Sequence, residues 1–244
     1  MLEGNTEGQL SARPPRSVQL KHLTKFRQQH ERRIQLEKQA LTDPLMNIWN
    51  RRALLGDEDS NEIKGGNFVP HLTREIAKAR VGERRTSFRE GERRTEIPKP
   101  LSVLMLDLDH FKNINDDTDL GHDGGDFTLQ SISTLLKQSI RKADILGRYA
   151  EGDELLIILP ETNQEGAIKE AERLRKLVEK YQLKFNGKKF RVTISVGAAE
   201  LKDSHKEPKD LVIEADKNLL KAKNNGRNRV FPPPPVDQSS SVET

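Results

Sequence analysis

The feature that most constrains this chain is an apolar run that ends in acidic residues, Leu101–Asp109, with the sequence LSVLMLDLD. A short continuous apolar run is typical of a strand buried on both faces, so it predicts a central strand that carries Asp107 at its C-terminal end. A second apolar run, Leu155–Pro160, follows a turn at Glu151–Asp153 and predicts a β-hairpin with the residues before it. Carboxylates would then lie at a strand end and on a neighbouring turn. That layout suits Mg²⁺ and a nucleoside triphosphate, because Mg²⁺ is held by one or two carboxylates together with substrate phosphates.

Several further motifs occur in order around these two runs. They are DPLMNIWNRR from Asp43, DLDHFKNIND from Asp107, GHDGGD from Gly121, EGDEL from Glu151, TISVG from Thr193 and KAKNNGRNR from Lys221. Together they resemble the GGDEF domain family of diguanylate cyclases, which condense two GTP molecules into cyclic di-GMP. The resemblance extends over residues 41–231. It implies a single α/β domain with a central, mostly antiparallel sheet of about five strands flanked by helices, as in nucleotidyl cyclases and polymerase palm domains.

Composition and charge exclude several other classes of protein. The chain has 244 residues, and its 42 basic and 38 acidic residues give a net charge of only +4, which is not typical of a nucleic-acid-binding protein. Because there is no cysteine, a disulfide framework and a thiolate metal site are both excluded. No stretch approaches the roughly 20 apolar residues that span a bilayer. We therefore expect a cytoplasmic protein without a membrane span or a nucleic-acid partner.

The ends of the chain and one internal segment differ from the domain itself. The segment before the domain predicts a helix with a weak heptad-like stripe, which offers a surface for a homodimer or a protein partner. The arginine-rich block from Arg80 to Arg94 is interpreted as a solvated loop, with binding of phosphate or an acidic partner as the alternative. The predicted organisation is a disordered tail at 1–17, the helix at 18–42, the domain at 43–231 with an insertion around 53–99, and a disordered Pro/Ser tail at 232–244.

Hydrophobic periodicity places the remaining elements of the domain. The pattern predicts a helix within the insertion and three longer amphipathic helices after the central strand. The predicted helices are Leu72–Arg80, Phe127–Ile140, Gln164–Tyr181 and Leu211–Asn224, and the predicted later strands are Phe190–Val196 and Arg229–Phe231.

The resemblance assigns roles to individual polar residues. The carboxylates of Asp107 and Glu154 and the backbone carbonyl of Leu108 would hold Mg²⁺, and Asp153 would help to activate the 3′-hydroxyl or bind the metal. Attack of one GTP's 3′-oxygen on the α-phosphate of the other requires charge neutralisation at both oxygens, which fits these side chains. The residues that match substrate-contacting positions are Asn115 and Asp126 for guanine, and Lys112, Lys223 and Arg227 for the phosphates.

A second group of residues matches the inhibitory site of the family. Arg141 and Asp144, in the sequence RKAD, would bind the guanine and phosphate of cyclic di-GMP. Arg173 matches a position that completes this binding from another element. An Arg-x-x-Asp pair is by itself a common salt bridge at a helix end, so its interpretation depends on the resemblance.

Three departures from the family pattern lie near the expected catalytic residues. Glu151 and Leu155 replace the first glycine and the final phenylalanine of the signature, and Ala150 is an extra residue in the hairpin. An added residue produces a bulge or reverses side-chain facing, so Asp153 and Glu154 are expected to point differently. The segment from Asn115 to Asp126 is also longer than usual, which would displace the two guanine contacts.

Three hypotheses remain from the sequence. Because the departures cluster at the catalytic pocket, we favour a degenerate GGDEF domain that binds cyclic di-GMP at Arg141, Asp144 and Arg173 and acts as a receptor. The first alternative is an active diguanylate cyclase that uses GTP and Mg²⁺ and is inhibited by its product. The second is an interaction scaffold that binds no nucleotide.

Overall fold

The computed structural model describes residues 27–29, 31–32, 35–36, 39–56, 70–81, 98–150 and 152–234. The chain divides into two units, residues 1–40 and 41–244. In the first unit the described residues are helical, and Arg27 Nε donates to Glu31 Oε1 at 2.9 Å one turn further on. Helix therefore occurs where it was predicted, although most of the apolar stripe and both predicted tails lie outside the described residues, apart from residues 232–234.

A five-stranded sheet forms the centre of the second unit. Its spatial order is β2-β3-β1-β6-β7, and every pairing is antiparallel except that of β6 with β7. All eight residues of β1 are buried, as expected for an apolar strand with neighbours on both sides. The strands are β1 (Leu101–Leu108), β2 (Ile145–Arg148), β3 (Leu155–Pro160), β6 (Ile194–Glu200) and β7 (Val230–Phe231), while β4 (Leu183–Phe185) and β5 (Lys188–Phe190) form a separate hairpin.

Helices cover both faces of this sheet, so the predicted fold class is confirmed. On one face, α4 and α5 enclose a core with Leu104, Leu106 and Ile157 of the sheet. On the other face, α2 and α6 pack over Val103 and Met105. The helices are α1 (Arg51–Leu55), α2 (His71–Val81), α3 (Phe111–Asn115), α4 (Gly121–Ser139), α5 (Gln164–Lys180) and α6 (Pro208–Asn224).

Side-chain caps fix where several helices begin. Asn50 accepts a hydrogen bond from Ala53 N at the start of α1, and Asn163 accepts one from Gly166 N at the start of α5. At α6, Pro208 occupies the first turn and Asp210 Oδ2 accepts from Glu207 N. This capping explains why α6 begins before the predicted Leu211.

Two predicted boundaries were wrong. The helix expected at Phe127–Ile140 begins at Gly121, so Asp126 lies within α4 rather than before it. The strand expected at Phe190–Val196 is divided, because β5 ends at Phe190 and β6 begins only at Ile194. β5 belongs instead to a hairpin with β4, in which Asn186 and Gly187 both have positive φ (47° and 85°). Asn-Gly is a favoured sequence for such a two-residue hairpin turn. The helix expected in the insertion is α2, whereas residues 82–97 of the arginine-rich block lie outside the described residues.

Candidate functional site

The C-terminal end of β1 carries a buried carboxylate with a cationic partner. Asp107 is only 8% exposed, and Lys223 Nζ lies 2.8 Å from its Oδ2. Burial raises the pKa of Asp107, and the hydrogen bond from Lys223 opposes that rise. A carboxylate that is partly withdrawn from water in this way favours a cation beside it.

The hairpin between β2 and β3 brings two further acids to Asp107. Burial and the charge of Asp107 raise the pKa of Asp153 to about 6 and also raise the pKa of Glu154. The charge of Lys223 lowers the pKa values of both acids. Asp107, Asp153, Glu154 and Lys223 therefore interact electrostatically. The extra residue Ala150 therefore does not separate the signature acids from β1.

Hydrogen bonds from Arg148 and Tyr149 hold the turn of this hairpin in place. Tyr149 N donates to Glu154 O at 2.9 Å, and Arg148 donates from Nε and Nη2 to Gly152 O at 3.0 and 2.7 Å. Gly152 has a φ of 112°, a conformation that other residues rarely adopt, and apart from its chain neighbours no described residue has an atom within 4 Å of the position of a Cβ. The retained glycine thus leaves open space above the turn, whereas Glu151 lies outside the described residues.

The lysine reaches Asp107 because α6 lies very close to the sheet. A Cβ on Gly197 of β6 would overlap the backbone of α6 at Ala215 O and Leu219 N. Since glycine leaves this space free, α6 packs directly on β6 and carries Lys223 in its last turn to the end of β1. Arg227 follows α6 and lowers the pKa of Asp107 through its charge, so it also lies near the acids.

The donor atoms at this point suit a magnesium ion that is completed by phosphate oxygens. No group of three or more His, Cys, Asp and Glu side chains in the described ranges is placed to hold a metal ion by itself. Asp107 and Glu154 supply the one or two carboxylates that Mg²⁺ takes from a protein when it also binds phosphates. Burial raises the pKa values of both, and the charge of Asp107 adds to the rise at Glu154; a divalent cation would offset these effects. The roles of these two residues and of the buried Leu108 stay predictions.

The two residues expected to contact guanine also lie close together. The Asn115 side chain at the end of α3 packs against Gly125, which immediately precedes Asp126. The longer connection between them folds into a turn, in which Asp117 Oδ1 accepts hydrogen bonds from Asp119 N and Leu120 N at 2.9 and 3.1 Å. The added residues are thus contained in this turn.

A lysine from a distant hairpin holds that turn. Lys188 Nζ lies 2.8 Å from both carboxylate oxygens of Asp117 and 3.1 Å from Asp119 Oδ2. Lys112, which was also expected to contact substrate, is exposed on α3. Substrate contacts at Asn115, Asp126 and Lys112 stay predictions.

A hydrogen-bond network that the sequence pattern did not predict is centred on Asp109, which immediately follows β1. Asp109 is 5% exposed, and it accepts hydrogen bonds from Thr193 Oγ1 at 2.7 Å, Ser195 Oγ at 2.6 Å and Asn228 N at 2.9 Å. A hydroxyl pair with spacing i, i+2 places both side chains on one side of an extended segment, which is the signal that could have indicated a shared partner. Asp109 therefore joins β1, β6 and the loop after α6.

A second site forms between α4 and α5. Arg141 N donates to Asp144 Oδ2 at 2.8 Å, while Asp144 Oδ1 is buried and, within the described ranges, has no hydrogen-bond partner. Burial raises the pKa of Asp144, whereas Arg141 and Arg173 lower it. Arg173 donates to Ser139 O at 2.7 Å and pairs with Glu170 at 2.6 Å. The fold thus assembles all three residues that were expected to bind cyclic di-GMP.

Sequence comparisons agree with this architecture. Residues 85–229 match the model of the family described as Diguanylate cyclase, GGDEF domain. Diguanylate cyclase A of Treponema denticola is 42% identical over 135 residues, which are 55% of this chain and 36% of that protein. The response regulator PleD of Caulobacter vibrioides is 31% identical over 225 residues, which are 91% of this chain and 42% of that protein. The chain therefore spans less than half the length of these relatives.

Solved structures show the same fold. Diguanylate cyclase SiaD of Pseudomonas aeruginosa, in complex with its activator SiaC, is 28% identical with a TM-score of 0.63, and the match covers 88% of this chain and 71% of SiaD. The GGDEF domain of DgcB from Caulobacter crescentus, in complex with c-di-GMP, is 26% identical with a TM-score of 0.60, covering 78% of this chain and 92% of that domain. Within the described part of the chain, no helix is long and apolar enough to cross a membrane. The family model, which spans more than half of the chain, establishes that this protein belongs to the GGDEF domain family, the family of the diguanylate cyclases.

Proposed function

We propose that this domain acts in cyclic di-GMP signalling as a diguanylate cyclase that condenses two GTP molecules. The observation that carries this proposal is the convergence of Asp107, Asp153 and Glu154 at the end of β1, with Lys223 2.8 Å from Asp107. The sequence favoured a receptor because the departures from the family pattern cluster at the expected catalytic pocket. In the structure Leu155 pairs with Leu106 of β1, so Glu154 adjoins Asp107, and this geometry supports the enzyme.

The proposed mechanism assigns a separate task to each group of residues. Asn115 and Asp126 would hold guanine, since an amide and a carboxylate match the polar edge of the base. Lys223 and Arg227 would offset the charge of the triphosphate. Asp107 and Glu154 would hold Mg²⁺, which supplies charge neutralisation at the attacking and leaving oxygens. Asp153 would accept the proton of the 3′-hydroxyl as the bond to the α-phosphate of the second GTP forms and the bond to the leaving pyrophosphate breaks.

Turnover of GTP tests the catalytic proposal. The purified protein is incubated with GTP and Mg²⁺, and cyclic di-GMP is measured by chromatography and mass spectrometry. We expect Glu154→Gln to reduce product formation by at least about 100-fold, since it removes a carboxylate from the transition-state environment. Glu165→Gln, a change of the same charge on the exposed start of α5, is the control and should retain activity. Absence of product from the unmodified protein would refute the cyclase.

Product binding is the second part of the proposal. We expect cyclic di-GMP to bind at Arg141, Asp144 and Arg173, because Asp144 Oδ1 has no hydrogen-bond partner among the residues that the structure describes. A buried acceptor without a partner is unusual in a folded protein, and a guanine N–H would satisfy it. Two guanidinium groups beside it suit the ligand's phosphates.

Calorimetric titration with cyclic di-GMP tests this site. We expect Arg141→Ala to weaken binding by at least about 10-fold, the usual effect of losing a hydrogen bond to a charged group. Lys142→Ala removes the neighbouring exposed cation and should bind as the unmodified protein does. Equal losses in the two variants would contradict the assignment and indicate a general charge effect.

A receptor without turnover is the second candidate, and the altered signature favours it. Glutamate at position 151 adds negative charge where the ligand would be a polyanion. The two experiments separate the candidates: binding without product identifies a receptor, and neither binding nor product identifies a scaffold. SiaD is a relative whose structure contains a protein activator. By analogy with SiaD, we propose a protein partner, or a second copy of this chain, that contacts the N-terminal helix or the arginine-rich block.

A further inference from the structure

The loop after α6 has an unusual backbone. Gly226, Arg227 and Asn228 have successive φ values of 109°, 59° and 45°. The left-handed region is accessible to glycine and tolerated by asparagine, but it is unfavourable for arginine. A conformation of this kind persists only where surrounding contacts determine it.

The sheet fixes this loop from one side. Asn228 N donates to Asp109 Oδ2 at 2.9 Å. Asp109 is itself fixed, because Thr193 and Ser195 donate their hydroxyl hydrogens to its two oxygens. Asp109 lies two residues from Asp107, so the loop is anchored next to the acids of the candidate active site.

Helix α5 fixes the loop from the other side. Arg175 is 9% exposed, and its Nη1 donates to Asn228 Oδ1 at 2.7 Å. Glu172 accepts two hydrogen bonds from the same guanidinium, and Glu179 accepts one from Arg175 and one from Asn228 Nδ2. Both polar atoms of the Asn228 amide therefore have partners on α5.

We infer that Asn228 is a positioning residue that holds Arg227 towards the triphosphate of GTP. Its backbone is bound to Asp109 and its side chain to Arg175 and Glu179, so the residue joined directly to Arg227 cannot rotate. Arg227 N donates to Ala222 O at 3.1 Å, and Ala222 immediately precedes Lys223, which lies 2.8 Å from Asp107. The backbone therefore places Arg227 beside the end of β1. This inference rests on the proposed function, because it supposes that the end of β1 receives GTP.

The test separates positioning from simple stabilisation of the fold. Asn228→Gly keeps the freedom to adopt positive φ and removes only the side-chain hydrogen bonds, and Asn228→Asp restores the acceptor for Arg175. Lys176→Ala is the matched control, because Lys176 is an exposed cation of α5 that lies 3.5 Å from Glu172. Binding of the α-thio analogue of GTP with Mg²⁺ is measured by calorimetry, and the melting temperature of each variant is recorded.

We expect Asn228→Gly to weaken binding of the analogue by roughly 10-fold, since small displacements of contacting groups carry penalties of this order or larger. Asn228→Asp should recover only part of the loss, because it keeps the acceptor for Arg175 but places a carboxylate where the amide donates to Glu179. Lys176→Ala should bind normally. In an Arg227→Ala background, Asn228→Gly should have no further effect, because the group that it positions is already absent.

Several results would overturn the inference. They are normal binding by Asn228→Gly, normal binding by Arg227→Ala, an undiminished effect of Asn228→Gly in the Arg227→Ala background, and absence of binding by the unmodified protein. Binding of the analogue without conversion of GTP refutes the cyclase while leaving the positioning role to be decided by these variants. The two proposals therefore fail separately.

Discussion

Replacement of Arg148 by methionine should uncouple the signature turn from the start of the domain. The Arg148 guanidinium joins Asp43 Oδ2 at 2.9 Å and Gly152 O at 2.7 Å, and the two charged side chains are only 20% and 10% exposed. Asp43 in turn accepts hydrogen bonds from Leu45 N and Met46 N at 3.0 and 2.8 Å. One guanidinium thus connects the turn at residues 43–46 with the hairpin that carries Asp153 and Glu154.

The magnitude follows from the burial of this pair. Removing one partner of a buried ion pair costs about 3–5 kcal/mol, and partial exposure places this pair near the lower end, about 3 kcal/mol. At about 2–4 °C per kcal/mol for a domain of this size, Arg148→Met should lower the melting temperature by about 6–12 °C. Lys169→Met, which removes an exposed cation of α5, should change stability by less than about 0.5 kcal/mol.

A double-mutant cycle measures the coupling directly. Asp43→Asn keeps the acceptor for Leu45 and Met46 but removes the charge, and it leaves the bonds from Arg148 to Gly152 in place. Urea unfolding of the two single variants and the double variant should give a coupling energy of at least about 1 kcal/mol between Asp43 and Arg148. Turnover should fall in Arg148→Met more than in Asp43→Asn, because only the former releases Gly152. A coupling energy near zero, or equal turnover in the two variants, would refute this reasoning.

Two further predictions concern stability. Burial is the main cause that lowers the pKa of His71 from its ordinary 6.5 to about 4, so its neutral form stabilises the fold above pH 6.5 and that stability is lost as the pH falls towards 4. The loss is at most about 3 kcal/mol, and urea unfolding of His71→Phe should depend less on pH in this window; an unchanged pH dependence would contradict the assignment. Gly197→Ala should destabilise the domain by about 3 kcal/mol because its Cβ meets the backbone of α6. Gly166→Ala, at the start of α5, should cost less than about 1 kcal/mol, and thermal melts that rank the two variants equally would argue against close packing at Gly197.

The sheet and its main helices were predictable because local pattern determines them. The run from Leu101 to Leu106 is apolar at all positions but Ser102, and burial on both faces of β1 is what such a run requires. The amphipathic period of α5 likewise places Ala171 and Leu174 in the core. Boundaries were less predictable, since the early part of α4 packs against α3 at Gly125, beside Asn115 and Phe111, and such a contact between elements is not visible in the sequence pattern.

The candidate site was predictable in composition but not in arrangement. Asp107 and Asp109 have the same chemistry in the sequence, yet one pairs with Lys223 and the other with two hydroxyl groups and the loop at Asn228. Arg175 has the charge of a surface residue, but it is buried because two glutamates and Asn228 satisfy its guanidinium. Such distinctions arise from pairings between distant segments, which periodicity and spacing do not encode.

The turn at Asp117–Leu120 bears on how loop length varies within a protein family. The Asp117 carboxylate accepts hydrogen bonds from the backbone of the turn and also pairs with Lys188. The rings of Phe127 and Phe185 lie 5.3 Å apart and pack the first half of α4 against the β4–β5 hairpin. Residues can therefore be inserted before α4 without shifting the helix that follows. A change in the length of this turn leaves the spacing of Asn115 and Asp126 unaffected, because Asn115 packs directly against Gly125. Alignment gaps here are then a poor indicator that a member has lost its nucleotide site.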